Sequence, residues 1–411
     1  MLEKLSRFFA SIAPGIFIIG YVIGTGSVTT MASAGAKYGM SLTWTSVLAS
    51  VFTGIMLVAI SKTSIVTGQT ALYLFRKHFG APITIFFIVG LMCTQISSIV
   101  GVMAIVADVI REWSRPLTAD GLGFPTLATA VIITAILYAL FFFGRHDSFL
   151  KALAFLVGLM GLSFLITMIM VAPDLEDILM GLIPRVPSEG NPHLLVAGMV
   201  GTTMATVVLI TRSTLVRERK WTTNDFREEH RDAIISVTLL LVINLAIMGS
   251  AAGTMFVQGI EVTRAIDMVN ALEPLAGRLA VTIFVLGIVS AGMSSLFPNY
   301  LLGVWLLTDY LDIPRDVHRT SFRLLVLGCA LMGLFVPIFG GSPVPIMIAS
   351  QAVSPILMPL FILLITLLLN KPELMGKHRN KWPMNAALGV TLLFSLFMLY
   401  TSVLGFLDLA A

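Results

Sequence analysis

Apolar residues run along this chain in blocks of about 18 to 26, each closed by a short polar break. Blocks of that length match a bilayer, which takes about 20 helical residues at roughly 1.5 Å each to cross. They fall near residues 11–36, 41–61, 82–109, 125–143, 150–172, 194–216, 233–257, 275–296, 321–339, 344–369 and 384–407. The pattern predicts an all-α polytopic membrane protein of eleven transmembrane helices in a single domain over 1–411. Residues 301–310 either lengthen the eighth helix or form a short surface helix.

Two blocks carry an island of glycine and hydroxyl residues. The first reads Val22-Ile23-Gly24-Thr25-Gly26-Ser27-Val28-Thr29-Thr30. Each glycine weakens a helix by about 1 kcal/mol relative to alanine, and the neighbouring hydroxyls can bond the backbone groups that unwinding frees. Five helices later, Met199-Val200-Gly201-Thr202-Thr203-Met204-Ala205-Thr206 repeats the theme. An unwound turn survives in lipid only where it faces protein or a water-filled cavity. Matching interruptions in two halves point to an inverted-repeat transporter with its site at mid-membrane. The plainer reading is that Gly24, Gly26 and Gly201 let neighbouring helices approach closely.

Composition agrees with the hydropathy pattern, since 57% of the 411 residues are hydrophobic and only 12% are charged, which excludes a soluble domain. The few charges set an orientation. With the N-terminus in the cytoplasm, Lys4, Arg7, Lys62, Arg76, Lys77, Arg145, Lys151, Arg217, Arg219, Lys220, Arg227, Arg231, Arg315, Arg319, Lys371, Lys377, Arg379 and Lys381 fall inside. Lys37, Arg111, Arg115, Arg185, Arg264 and Arg278 fall outside. The excess inside predicts N-terminus in and C-terminus out, in a plasma membrane of bacterial type. The first span has no small-residue cleavage site, so no removable signal peptide is expected. Cys93 and Cys329 both lie in apolar runs, far from any pairing or metal-ligand spacing.

The residues also carry a resemblance. Gly20-Tyr21 through Trp44, Ile65-Val66-Thr67-Gly68, Val242-Ile243-Asn244-Leu245-Ala246, Leu272-Glu273-Pro274-Leu275-Ala276-Gly277, Ser290-Ala291-Gly292, Ala349-Ser350-Gln351 and Met375-Gly376 together resemble the Nramp family of divalent-metal transporters. The resemblance implies a LeuT-type fold. Its inverted repeats would span about 11–172 and 194–369, helices one and six would be unwound at the substrate, and 384–407 would be an extra helix. The family's first-helix motif, Asp-Pro-Gly-Asn, falls on Gly24-Thr25-Gly26-Ser27, and its sixth-helix Met-Pro-His-Asn falls on Ala205-Thr206-Val207-Val208. The metal-binding carboxylate is thus replaced by Gly24, the amide by Ser27 and the sulfur ligand by Ala205. A one-residue slip would bring Met204 into play. The third-helix acidic pair of the family falls on Gln95 and Ser98, while Gln351, Asn244 and Thr203 match its polar positions.

Transition metals need thiolate, thioether, imidazole or carboxylate ligands, and Mg²⁺ is usually held by carboxylates and waters. Neither break offers them, and the six histidines all fall in loops or at helix ends. The expected substrate site is therefore Gly24, Thr25, Gly26, Ser27, Gln95, Thr202, Thr203, Ala205, Asn244 and Gln351. Hydroxyls and amides would supply hydrogen bonds there, and freed amide N–H groups at a helix start would favour a carboxylate. The Gly24-Thr25-Gly26 turn is also similar to that of amino-acid permeases with the same fold. Ser290, Ser294 and Ser295 are candidates for helping to hold sodium, and Arg212 is expected as a charge along the pathway or snorkelling to the interface.

The function these features predict is a secondary transporter or facilitator of a small solute, with a zwitterionic or anionic organic cargo such as an amino acid. Alternatives are a carrier of a largely hydrated divalent cation, Mg²⁺ or Mn²⁺, and a ligand sensor that moves nothing. No catalytic motif is present, so neither an enzyme nor a resident cofactor or metal is expected. The expected partners are a small-molecule or ion substrate and the lipid bilayer, with no nucleic acid, and the expected unit is a monomer.

Overall fold

The computed structural model describes residues 24–143, 146–171, 173–188, 190–260, 262, 265–311, 319–341 and 343–410. Its main helices are α1 (Thr25–Tyr38), α2 (Thr43–Thr67), α3 (Ala71–Phe79), α4 (Ala81–Ser114), α5 (Thr126–Phe143), α6 (His146–Val171), α7 (Leu175–Met180), α8 (Pro192–Thr203) and α9 (Thr206–Glu218). They continue with α10 (Phe226–Ala251), α11 (Ala265–Leu311), α12 (Thr320–Leu331), α13 (Phe335–Phe339), α14 (Pro343–Ala352), α15 (Ser354–Asn370), α16 (Pro372–Met375) and α17 (Trp382–Ala410). Nine helical spans among the described residues are long and apolar enough to cross a membrane. The first part of the first predicted helix, 11–23, lies outside the described residues.

Several boundaries follow from local chemistry that hydropathy does not register. α10 starts earlier than the apolar run because Thr222 and Asp225 form a capping box just before it. The Thr222 amide donates to Asp225 Oδ2 at 2.7 Å, and the Asn224 amide donates to Thr222 Oγ1 at 3.4 Å. Residues 301–310 lengthen the eighth predicted helix, since Leu301, Leu302, Val304 and Leu306 are buried along α11. That helix kinks once, at Gly277 (φ 73°), where a positive φ excludes most side chains. The tenth predicted helix divides at Val353 into α14 and α15. Pro355, lacking an N–H, cannot bond the carbonyl of Gln351 one turn back.

The sixth predicted helix, here α8 plus α9, is the axis of the molecule. In its central window 94% of residues are buried, against 22% to 67% in the other spans. α8 packs on α1, α2, α14 and α17, and α9 on α2 and α15. α4 and α11 lie along each other, with α6 against α11 and α5 against α4. The outer helices turn Ile132, Ile136, Leu324 and Leu393 outward, a dry apolar surface suited to lipid tails.

α3 carries Arg76, Lys77 and His78, and Lys371 Nζ lies 3.4 Å from His78 Nδ1. Burial first, then the charges of Lys371 and Lys77, hold the His78 imidazole below its ordinary 6.5, with Glu373 opposing. The folded protein therefore binds fewer protons here than the unfolded chain. This contribution to stability is complete above 6.5 and is lost as pH falls through the folded pKa. Melting curves between pH 7 and 5 should show a decline that is shallower in His78→Gln.

Candidate substrate site at the helix breaks

α8 stops at Thr203. Met204 (φ −108°, ψ 42°) and Ala205 (φ −61°, ψ 121°) leave helical geometry before α9 begins at Thr206. The β-branched pair Thr202-Thr203 and Gly201 make this a weak place for a helix, and neighbours satisfy groups the break frees. The Thr206 amide donates to Ser354 Oγ at 3.2 Å, and Thr53 Oγ1 donates to the Thr203 carbonyl at 3.2 Å. The other island starts α1, with Gly24 extended (φ −95°, ψ −171°) and no side chain capping the first amides. Ser27 Oγ and Thr202 Oγ1 share a hydrogen bond of 2.8 Å, so the two islands meet.

Where they meet is a cavity of about 40 Å³, room for roughly three waters. Gly24, Gly26, Thr202, Ala205 and Val207 line it from the breaks. α4 contributes Leu91, Thr94, Gln95 and Ser98, α11 contributes Ser295 and Asn299, and α14 and α15 contribute Ser350, Gln351, Ser354 and Leu357. Every polar side chain that the described residues bring to this lining is a hydroxyl or an amide. Among the described residues, no group of three or more His, Cys, Asp or Glu is placed to hold a metal ion. Gly26 is a glycine for a local reason: a Cβ there would stand 2.9 Å from Gln351 Nε2, whose amide lies against the start of α1.

Of the residues expected at the site, Gly24, Gly26, Gln95, Thr202, Ala205 and Gln351 line the cavity, and Ser27 is one hydrogen bond away through Thr202. Thr203 and Asn244 do not. Asn244 Nδ2 donates to Thr203 Oγ1 at 3.2 Å, which ties α10 to α8 away from the cavity. The Thr25 side chain lies outside the described residues. Ala205 rather than Met204 reaches the lining, so the slipped alignment gains no sulfur ligand. Sequence reasoning missed Thr94, Asn299, Ser350 and Ser354. Helical spacing held the clue, because Asn299 follows Ser295 by one turn and Ser354 follows Ser350 likewise.

Arg212 requires a correction. It neither lines the cavity nor snorkels, and its side chain is wholly buried on α9. Its Nη1 donates to Asp232, its Nη2 to Glu229 Oε1 at 3.3 Å, and its Nε to Ser61 Oγ at 2.8 Å. The guanidinium also lies 5.4 Å from the centroid of the Trp221 ring. A buried guanidinium with two buried carboxylates is a structural clamp joining α9, α10 and α2.

A family model described as natural resistance-associated macrophage protein-like matches residues 15–405. The chain belongs to the Nramp family. It is therefore a membrane transporter, not an enzyme. Among curated relatives, the divalent metal cation transporter MntH of Klebsiella pneumoniae (strain 342) is 26% identical over 377 residues, covering 89% of this chain and 86% of the relative. A protein of the same description from Nostoc sp. is 26% identical over 392 residues, covering 91% and 86%. Among solved structures, an Eremococcus coleocola manganese transporter in complex with an aromatic bis-isothiourea substituted compound superposes with a TM-score of 0.75 at 15% identity, covering 98% of this chain and 89% of that one. A nucleobase-cation-symport-1 family transporter, closed around bromovinylhydantoin, gives a TM-score of 0.64 at 16% identity over 97% and 90% of the chains. These likenesses establish the LeuT-type fold of this Nramp-family chain.

Proposed function

We propose that this Nramp-family transporter carries a small, net-neutral or anionic polar solute, of the size and kind of the simplest amino acids or carboxylates, through the cavity at the helix breaks. One observation carries the reading: among the described residues, the lining of the cavity is polar and has no formally charged side chain. The starts of α1 and α9 bring amide N–H groups and the positive ends of two helix dipoles to it. The end of α8 brings carbonyls and a negative end. Such a field suits a molecule with an acceptor at one end and a donor at the other better than a bare divalent ion. Stripping that ion of water without an anionic ligand has a large Born cost.

The reading includes alternating access by two inverted repeats, about 11–172 and 194–369, with the N-terminus inside. The two glycine and hydroxyl islands in the sequence, five predicted helices apart, support the repeats, and the excess of Lys and Arg in the inner loops supports the orientation. A second reading, transport of a largely hydrated divalent cation, is favoured by the relatives that are named as divalent metal and manganese transporters. Oxygen ligands and retained waters are what Mg²⁺ accepts. Uptake into proteoliposomes decides between them. Accumulation of labelled glycine or acetate with indifference to Mn²⁺ and Mg²⁺ is expected; divalent flux that neither organic probe perturbs would reverse the order. Binding of a probe without any flux would make the chain a sensor.

A further inference from the structure

Asn299 lies in the C-terminal half of α11, is 1% exposed, and lines the cavity. Its Nδ2 donates to Ser98 Oγ at 3.3 Å, which anchors the amide to α4. Its Oδ1 has no hydrogen-bond partner. A buried carbonyl oxygen left unpaired is an uncommon and costly arrangement, and in a residue that lines a cavity an entering molecule can supply the missing donor. Other polar groups at the cavity are engaged already: Ser27 and Thr202 bond each other, and the Gln351 amide lies within reach of Met347 Sδ and Ser350 Oγ.

We infer that Asn299 is a specificity-determining residue of the cavity, whose Oδ1 accepts a hydrogen bond from an ammonium, amide or hydroxyl donor of the cargo. This rests on the reading of the cavity as the cargo site, and it gives that cargo a polarity. An acceptor end meets the amides at the start of α1, and a donor end meets Asn299. A solute with both ends fits; one lacking the donor leaves Oδ1 unpaired and loses affinity, by about tenfold or more.

The test uses the full chain in nanodiscs and two independent arms. In the first, Asn299→Asp is titrated with Mn²⁺ and its melting temperature followed. A carboxylate presented to the cavity should give a Mn²⁺-dependent rise absent from the unsubstituted chain, and no rise would overturn the placement of this oxygen. Should that variant fail to accumulate, Asn299→Cys titrated with Cd²⁺ asks the same question through a thiolate. In the second, half-saturating concentrations of glycine and acetate are compared in the unsubstituted chain and in Asn299→Leu. The expected result is at least a tenfold weakening for glycine with acetate little changed. Equal sensitivity to both probes, or none, would remove the donor-reading role. If the unsubstituted chain ignores glycine altogether, the cargo reading and the donor role both fall, while the metal arm still decides whether residue 299 presents an oxygen to the cavity.

Discussion

Replacing Arg212 with methionine is expected to lower the stability of this protein by about 3–5 kcal/mol, the largest single-residue loss anticipated outside the cavity. The substitution keeps most of the volume and removes the guanidinium, so Glu229 and Asp232 stay buried without the positive charge that Arg212 sets between them. The cost lies in those two carboxylates rather than in the lost guanidinium. It follows that Glu229→Gln and Asp232→Asn added to the Arg212→Met background should recover much of the loss. Arg212→Lys should sit between, because an ammonium cannot span Ser61, Glu229 and Asp232 at once as the planar guanidinium does. Melting of the purified variants in one detergent checks all three. A single substitution that melts like the unsubstituted chain would show that the clamp contributes little.

This clamp also shows what the sequence hides. Long apolar blocks announce membrane helices because the bilayer fixes their length, and each of the nine long apolar spans among the described residues overlaps a predicted block. The break in the sixth helix was legible in Gly201-Thr202-Thr203 because glycine and β-branched hydroxyl residues weaken a helix and can serve the groups that open. Nothing comparable marked Glu229 and Asp232. They precede the apolar run and resemble a solvated loop, and only the capping box at Thr222, which starts α10 before them, and the reach of the Arg212 side chain across from α9 bring the three together.

Cavity residues divide in the same way. Gln95 and Gln351 stood out as amides inside apolar helices, and the family resemblance pointed to both positions. Asn299 was equally polar, but it falls between the predicted eighth helix, 275–296, and the ambiguous stretch 301–310, so hydropathy gave it no place in a helix. Asn244 shows the converse error, a conspicuous buried amide whose donor is spent on joining two helices. Whether such an amide faces a cavity or a neighbour depends on helix rotation, which hydropathy fixes only loosely when the helix is apolar nearly all round.

Gly201→Ala is expected to disable transport and to destabilise the fold together, whereas Gly26→Ala should alter transport alone. At Gly201 the added methyl would overlap the backbone carbonyl of Gln351 and stand 2.9 Å from Pro355 Cδ. Neither obstacle can rotate away, because one is main chain and the other is a ring fixed in α15. α8 and α14 must separate, which costs about 1–3 kcal/mol by overpacking and outweighs the gain in helix propensity of about 1 kcal/mol. At Gly26 the obstacle is the end of the Gln351 side chain, 2.9 Å from the added Cβ. That amide can swing aside at small cost to stability, but it then leaves its place in the cavity lining. Melting temperature and proteoliposome uptake, measured on both variants, separate the two cases. Gly201→Ala should fall in both readouts, and Gly26→Ala should keep its melting temperature while its half-saturating cargo concentration rises. An unchanged melting temperature for Gly201→Ala would mean that α8 and α14 are not held at backbone contact. A Gly26→Ala protein with unaltered uptake would remove Gln351 from the set of cargo contacts.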